Sequence, residues 1–286
     1  MKPIPVDSTA NYLDRILAKR PALTTPIHET MVLDEESKRH YVTLSLEDHP
    51  TLVELIHITD VQYGHQSFKP ARFQEFSAWI LESPHRFILL GGDLIDAATQ
   101  FSVQSPYENK WEPSEQVLRL VEDLLMPQRP RILGYVGGNH ERRTAKGFGA
   151  AGRLIATLLG IPYSRGVQHI DVFYGEHQPF KVSLWHGGGS ARTKGAKAQL
   201  LHRFMHQADS DVYLVGHLHD VVLLFDWRQK RLENGKIDLV KYAGAMSSSF
   251  LEYWNTFAEE AGIPPTDTMM ARIGLEPDGG WEVTLR

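Results

Sequence analysis

A chain of 286 residues is long enough to bury a substantial core, as one large α/β domain or as two small ones, and its 42% hydrophobic and 23% charged content excludes a disordered or fibrous protein. A formal net charge of −5 and a pI near 6.3 give no global attraction to DNA, RNA or anionic lipid, so any nucleic-acid contact needs a local patch. Cysteine is absent, which excludes disulfides and thiolate metal sites and leaves His, Asp, Glu and Asn as the donors to search.

No apolar run approaches the length of a membrane span, and the start Met1-Lys2-Pro3-Ile4-Pro5 lacks the apolar block of a secretory signal. The expectation is a cytoplasmic protein with no membrane partner; no oligomeric state follows. Ser8 to Arg20 reads as a short helix, and Pro21 to Pro50 as polar chain apart from a strand-like run from Tyr41 to Leu46. Residues 1–50 are therefore expected as an N-terminal extension and 51–286 as the main domain.

From Leu52 onward short apolar β-type runs alternate with helical periods, the pattern of an α/β sandwich. The run Leu52 to Thr59 ends at Asp60, and a helix follows with Phe73, Phe76, Trp79 and Ile80 on one face. Phe87 to Leu90 ends at Gly91-Gly92-Asp93. A helix carrying Val117, Leu118, Val121, Leu124 and Leu125 precedes Arg131 to Val136, which ends at Gly137-Gly138-Asn139-His140. Lys181 to Trp185 leads into His186, and Asp211 to Val215 into Gly216-His217-Leu218-His219. Five strand ends thus carry five polar clusters. In open α/β sheets the loops leaving strand C-termini gather along one edge, so these positions are expected to converge there.

Asp60, Asp93, Asn139, His186, His217 and His219 are oxygen and nitrogen donors beside Gly-rich turns, a set suited to Mn, Fe, Zn, Ni or Co. Gly92-Asp93-Leu94-Ile95-Asp96, Gly138-Asn139-His140-Glu141, His186-Gly187 and Gly216-His217-Leu218-His219 stand in family order, and through them the chain resembles the calcineurin-like metallophosphoesterase superfamily over roughly Leu52 to Val221. The resemblance implies a four-layer α-β-β-α sandwich with two mixed sheets and a metal site at the strand C-terminal edge. It departs at Asp60-Val61-Gln62, where Gln62 stands in place of the usual histidine. A Gln amide oxygen is a harder, weaker ligand than imidazole, which implies either a preference for Mn²⁺ over Zn²⁺ or looser binding of the ion at this site. This D-x-Q form is similar to manganese-dependent ADP-ribose and CDP-alcohol diphosphatases.

Carried over residue by residue, the resemblance implies two divalent ions, one held by Asp60, Gln62, Asp93 and His219 and a second by Asp93, Asn139, His186 and His217, with Asp93 as the bridge. Mn²⁺ is favoured, with Zn²⁺, Fe, Ni²⁺ or Co²⁺ as alternatives. The implied activity is hydrolysis of a phosphate ester by metal-activated water, with His140 assisting the leaving oxygen and Asp96 orienting His140. Nucleotides or nucleic acid are the favoured substrates. The alternatives are a phosphomonoesterase, against which Ala97 and Ala98 stand where a protein phosphatase carries a phosphate-clamping arginine, and a non-catalytic binding module.

Arg142, Arg143 and Lys146, and Arg192 and Lys194 in the Gly-rich stretch after His186, read either as substrate-binding cations or as solvated charges. Tyr63, Phe68 and Phe148 are candidates for base stacking. His57 reads as a core residue and His65 as a loop residue within reach of substrate. His202 and His206, at i and i+4 on a helix expected over Thr193 to Ala208, read as a solvated face, because the glutamate of the H-E-x-x-H pattern is missing. Met246 to Gly262, with Phe250, Leu251, Tyr253, Trp254 and Phe257, has an aromatic helical pattern read as core packing or as a lid.

Overall fold

The computed structural model describes residues 28–34, 39–44, 46, 50–98, 106–146, 150–174, 179–232 and 234–286. The helix expected from Ser8 to Arg20, the Lys146 side chain and Phe148 lie outside them.

Two mixed sheets face each other. The smaller is built around β3 (Val53–Ile58), β4 (Arg86–Leu90) and β5 (Ile132–Val136), with β6 (Tyr163–Ser164) beyond β5 and the antiparallel pair β12 (Ala271–Leu275) and β13 (Trp281–Leu285) beyond β3; its order is β13-β12-β3-β4-β5-β6. The larger contains β1 (His28–Asp34), β2 (Arg39–Leu44), β7 (Val167–Phe173), β8 (Phe180–Trp185), β9 (Val212–Val215), β10 (Val222–Arg231) and β11 (Ile237–Met246), in the order β1-β2-β7-β8-β9-β11-β10.

Alternation along the central strands explains the layering. On β3, Val53 and Leu55 face the larger sheet and meet Phe87, Leu89, Ile170, Val182, Val212 and Ala243, while Ile56 and Ile58 face helices on the outside. Those helices are α1 (Pro70–Leu81), α2 (Pro113–Arg119, continued by a π turn to Leu125) and α4 (Ala151–Leu159). On the other side Tyr213 and Val215 of β9 meet Leu201 and Phe204 of α5 (Lys194–Phe204). Three apolar strata separate four layers, α-β-β-α. The stripe expected on α1 is the one buried: Phe73, Phe76, Trp79 and Ile80. No described helix is long and apolar enough to cross a membrane.

The structure differs from the sequence reading in three segments. Residues 28–34 and 39–44, read as part of an extension, are the first two strands at one side of the larger sheet, β1 at its edge and β2 next to it; β2 pairs parallel with β7, and Val42 and Leu44 enter the stratum between the sheets. The aromatic segment after Met246 is irregular rather than helical up to α6 (Phe257–Glu260). A backbone bridge from Leu251 to Phe68 and a left-handed Asn255 (φ 58°) prevent a helix, while Phe250 inserts between Phe73 and Phe76 at ring distances of 5.2 and 5.6 Å. Trp254 of that segment is exposed. The expected helix 193–208 closes four residues early, at Phe204.

Candidate metal centre

The loops after β3 and β4 run side by side beyond the sheet. Asp60 N donates to Gly92 O (2.9 Å), Gln62 N to Asp93 O (3.0 Å) and Tyr63 N to Leu94 O (2.9 Å), so backbone pairing brings the two aspartates together. Gly92, at φ 91°, lets the β4 and β5 turns touch: a Cβ there would lie 2.6 Å from Gly138 N. A Cβ on Gly138 would lie 1.9 Å from Asp93 Oδ1 and 2.3 Å from Asp93 N. Gly216 N donates to His186 O (3.0 Å), joining the β8 and β9 ends, and His217 N donates to Asp60 Oδ2 (2.8 Å), joining the larger sheet to the smaller.

The side chains then meet in two groups. Asp60 Oδ1 lies 3.1 Å from His219 Nε2, and the Gln62 amide nitrogen lies 3.5 Å from the same ring atom. Asp93 Oδ2 lies 3.2 Å from His186 Nε2, which is also 3.0 Å from Asn139 Oδ1; the His217 ring is 5.1 Å from that of His186. One donor atom from each of Asp93, His186 and His217 falls within a 4.8 Å span. The structure thus gathers all seven ligand residues expected from the sequence at one edge.

Three observations fit this cluster to cations. Asp60 Oδ1 is buried without a hydrogen-bond donor, although Oδ2 accepts from Thr59 Oγ1 (2.6 Å) and His217 N. The donor set is carboxylate, amide and imidazole, as divalent transition metals require. Asp60 (φ 51°), Gln62 (53°), Asp93 (49°), His217 (70°) and His219 (46°) are all left-handed, a conformation costing each about 1 kcal/mol or more and concentrated where several side chains must aim at one point.

Electrostatics agree with the geometry. Burial alone would raise the Asp93 pKa, but His140 and His186 outweigh it and hold the carboxyl well below the usual range. Burial would lower His186, yet Asp93 and Asp60 push it up to about 9.

His140 sits beside the second group. Its Nε2 is 3.7 Å from Asp93 Oδ2, and its Nδ1 faces Asp96, with Oδ1 at 3.3 Å and the backbone oxygen in contact. Arg143 Nη1 also reaches Nδ1, at 3.0 Å. Two donors cannot share that atom, and the two Asp96 acceptors place the hydrogen on Nδ1. Burial would lower the His140 pKa, but Asp93 and Asp96 outweigh it and raise it.

The expected substrate cations are mostly engaged elsewhere. Lys194 Nζ pairs with Asp220 Oδ1 and bonds Val221 O (2.8 Å), and Asp220 also holds buried Lys197 at 2.9 Å. Arg142 Nη1 donates to Gly137 O and Arg165 O. Arg192 is exposed on the Gly-rich loop, whose Gly189 O lies 2.9 Å from His217 Nε2. Tyr63 and Phe68 are buried, Tyr63 stacked on Trp111 (5.4 Å), so neither ring offers a face to a base. His57 is in the core, bonded to Ser247 Oγ (2.9 Å), and His65 Nδ1 accepts from Ser67 N (2.9 Å).

Glu141 was not singled out in the sequence. Its buried carboxylate accepts from Asp93 N (3.1 Å), Leu94 N (2.6 Å), Gly138 N (2.9 Å) and Tyr135 OH (3.1 Å), tying the β4 turn to the β5 turn. An acid three residues after Gly138, opening α3 (Asn139–Arg143), was the available signal, because a carboxylate there caps the helix start.

No protein-family model and no curated protein matches the chain. Among solved structures it is similar to a predicted phosphoesterase of Streptococcus pneumoniae (12% identity, 82% of this chain and 98% of that one, TM-score 0.33) and to a nuclease, MPE, of Pseudomonas putida (15%, 81% and 87%, 0.35). It is also similar to Vps29 of Chaetomium thermophilum (12%, 83% and 96%, TM-score 0.36). These likenesses are remote.

Proposed function

We propose that the protein is a metal-dependent phosphoesterase that cleaves phosphodiester or pyrophosphate bonds of nucleotides or nucleic acid. The observation that carries this reading is the meeting of Asp60, Gln62, Asp93, Asn139, His186, His217 and His219 at one sheet edge, with Asp60 Oδ1 buried and lacking a donor. A pair of divalent cations, when bound, supplies Lewis acidity to the phosphoryl oxygens and to the attacking water.

Asp60, Gln62 and His219 would hold one cation and Asn139, His186 and His217 a second, with Asp93 as a ligand common to both groups. Thr59 and the His217 amide fix Asp60 Oδ2, which leaves Oδ1 turned toward His219. His140, with Nδ1–H held by Asp96 and its charge favoured by Asp93, presents Nε2–H as the proton for the leaving oxygen. A diester or pyrophosphate is favoured over a phosphoprotein because the position after Asp96 is the buried Ala97, which brings no guanidinium to a terminal phosphate. Mn²⁺ is favoured by Gln62.

The test is hydrolysis of bis(p-nitrophenyl) phosphate and p-nitrophenyl phosphate by full-length protein, stripped with chelator and reloaded. The reading expects Mn²⁺-dependent turnover, faster on the diester and lost in Asp93→Ala. Inactivity on both esters with every divalent cation would overturn it.

A further inference from the structure

A second set of donors stands on the outer face of the larger sheet. His202 and His206 lie four residues apart at the end of α5 and its closing turn, with rings 4.6 Å apart and Nε2 atoms 3.3 Å apart. Their spacing alone describes a solvated helix face. The fold adds a residue that spacing cannot supply: Asp226 of β10, whose Oδ2 lies 3.6 Å from His202 Nε2.

We infer that His202, His206 and Asp226 form a separate mononuclear site for a zinc-class divalent cation, clamping α5 to the β10–β11 hairpin. Ligands at about 2.0–2.1 Å from a tetrahedral Zn²⁺ are separated by about 3.3–3.4 Å along each edge. Two edges already have nearly that length, at 3.3 and 3.6 Å, and the third, His206 to Asp226, is no more than 4.8 Å. Closing it takes a rotamer adjustment of the exposed His206. Solvent would complete the coordination.

The surroundings orient these groups as ligands. Asp226 Oδ1 accepts from Trp227 N (2.8 Å) and Oδ2 from Tyr242 OH (3.2 Å), so the carboxylate is held from behind while Oδ2 faces the histidines. His206 packs edge-on against the Tyr242 ring, centroids 6.2 Å apart. Among the described residues no lysine or arginine is ion-paired with Asp226. A cation here also sits at the C-terminal end of α5, where the helix dipole favours positive charge.

The test measures bound zinc by equilibrium dialysis at neutral pH, on the full chain and on the His202→Ala/His206→Ala variant. The comparison counts a difference and does not depend on what the Asp60–Asp93 centre holds. The expected result is one zinc ion fewer per chain in the variant, with an unchanged far-ultraviolet dichroism spectrum. Asp226→Asn, which keeps side-chain shape, is expected to lose the same ion at zinc concentrations stoichiometric with protein. Equal zinc content in wild type and both variants would overturn the inference and leave a histidine–histidine hydrogen bond in its place.

Discussion

Substituting Gly138 by alanine tests the architecture of the centre without touching a ligand. The backbone at Gly138 (φ −85°, ψ −177°) is open to any residue, so the effect is steric. The new methyl would start 1.9 Å from Asp93 Oδ1, where anything under 3.0 Å forces movement, so the carboxylate must withdraw by at least about 1 Å. Asp93 N, 2.3 Å away, must give as well, and that strains the turn held by Glu141. A displacement of about 1 Å at a reacting centre costs on the order of 100-fold in rate, and overpacking costs about 1–3 kcal/mol in stability. The assay is Mn²⁺ affinity by calorimetry together with kcat/KM on bis(p-nitrophenyl) phosphate, with urea unfolding in chelator to separate site from fold. Gly166→Ala, where a Cβ would meet nothing within 4 Å, is the neutral control. If Gly138→Ala kept metal affinity and kcat/KM within threefold of wild type, Asp93 could not be the shared ligand.

Other substitutions probe separate parts of the account. Gln62→His is expected to shift metal preference from Mn²⁺ toward Zn²⁺, read by competition calorimetry; histidine tolerates the left-handed backbone at φ 53°. Glu141→Gln turns an amide nitrogen toward two of four donors and is expected to destabilise by about 3 kcal/mol in urea unfolding, since bonds to a buried charge are worth about 1.5–3 kcal/mol each. His57, pushed down to about 3 by burial, stays neutral in the folded protein. The unfolded chain takes up that proton first as pH falls below about 6.5, so stability drops by about 1.4 kcal/mol per pH unit, roughly 2 kcal/mol by pH 5. His57→Gln should flatten that slope, and an unchanged slope would remove His57 from the explanation.

The strands that carry the site were legible because each is a short apolar run ending in glycine and a polar donor; Arg86–Leu90 and Ile132–Val136 lie within a residue of the expected runs. The edge elements were not. On β10, Leu224, Asp226, Arg228 and Lys230 alternate with Phe225 and Trp227, and since both aromatics are exposed, the pattern does not announce a buried face. The run from Tyr41 to Leu46 reads as a strand but carries no sign of its partner, and β2 gains its place in the larger sheet from pairing with β7. In the aromatic segment, Phe250, Tyr253 and Trp254 have helical spacing, but the bridge from Leu251 to Phe68 holds the backbone out of a helix. The residues gathered at the candidate centre were readable as motifs. Their supports, Thr59 on Asp60 and Glu141 across two turns, act through backbone groups brought close only by the fold.

The most direct measurement is a crystal of the full chain soaked in Mn²⁺ and recorded at the manganese absorption edge. Two anomalous peaks about 3.5–4 Å apart are expected on either side of the Asp93 carboxylate. Asp60, Gln62 and His219 should surround one, and Asn139, His186 and His217 the other. Peaks confined to other parts of the surface, with Asp93 still paired to His186 and no metal between the two groups, would contradict the account.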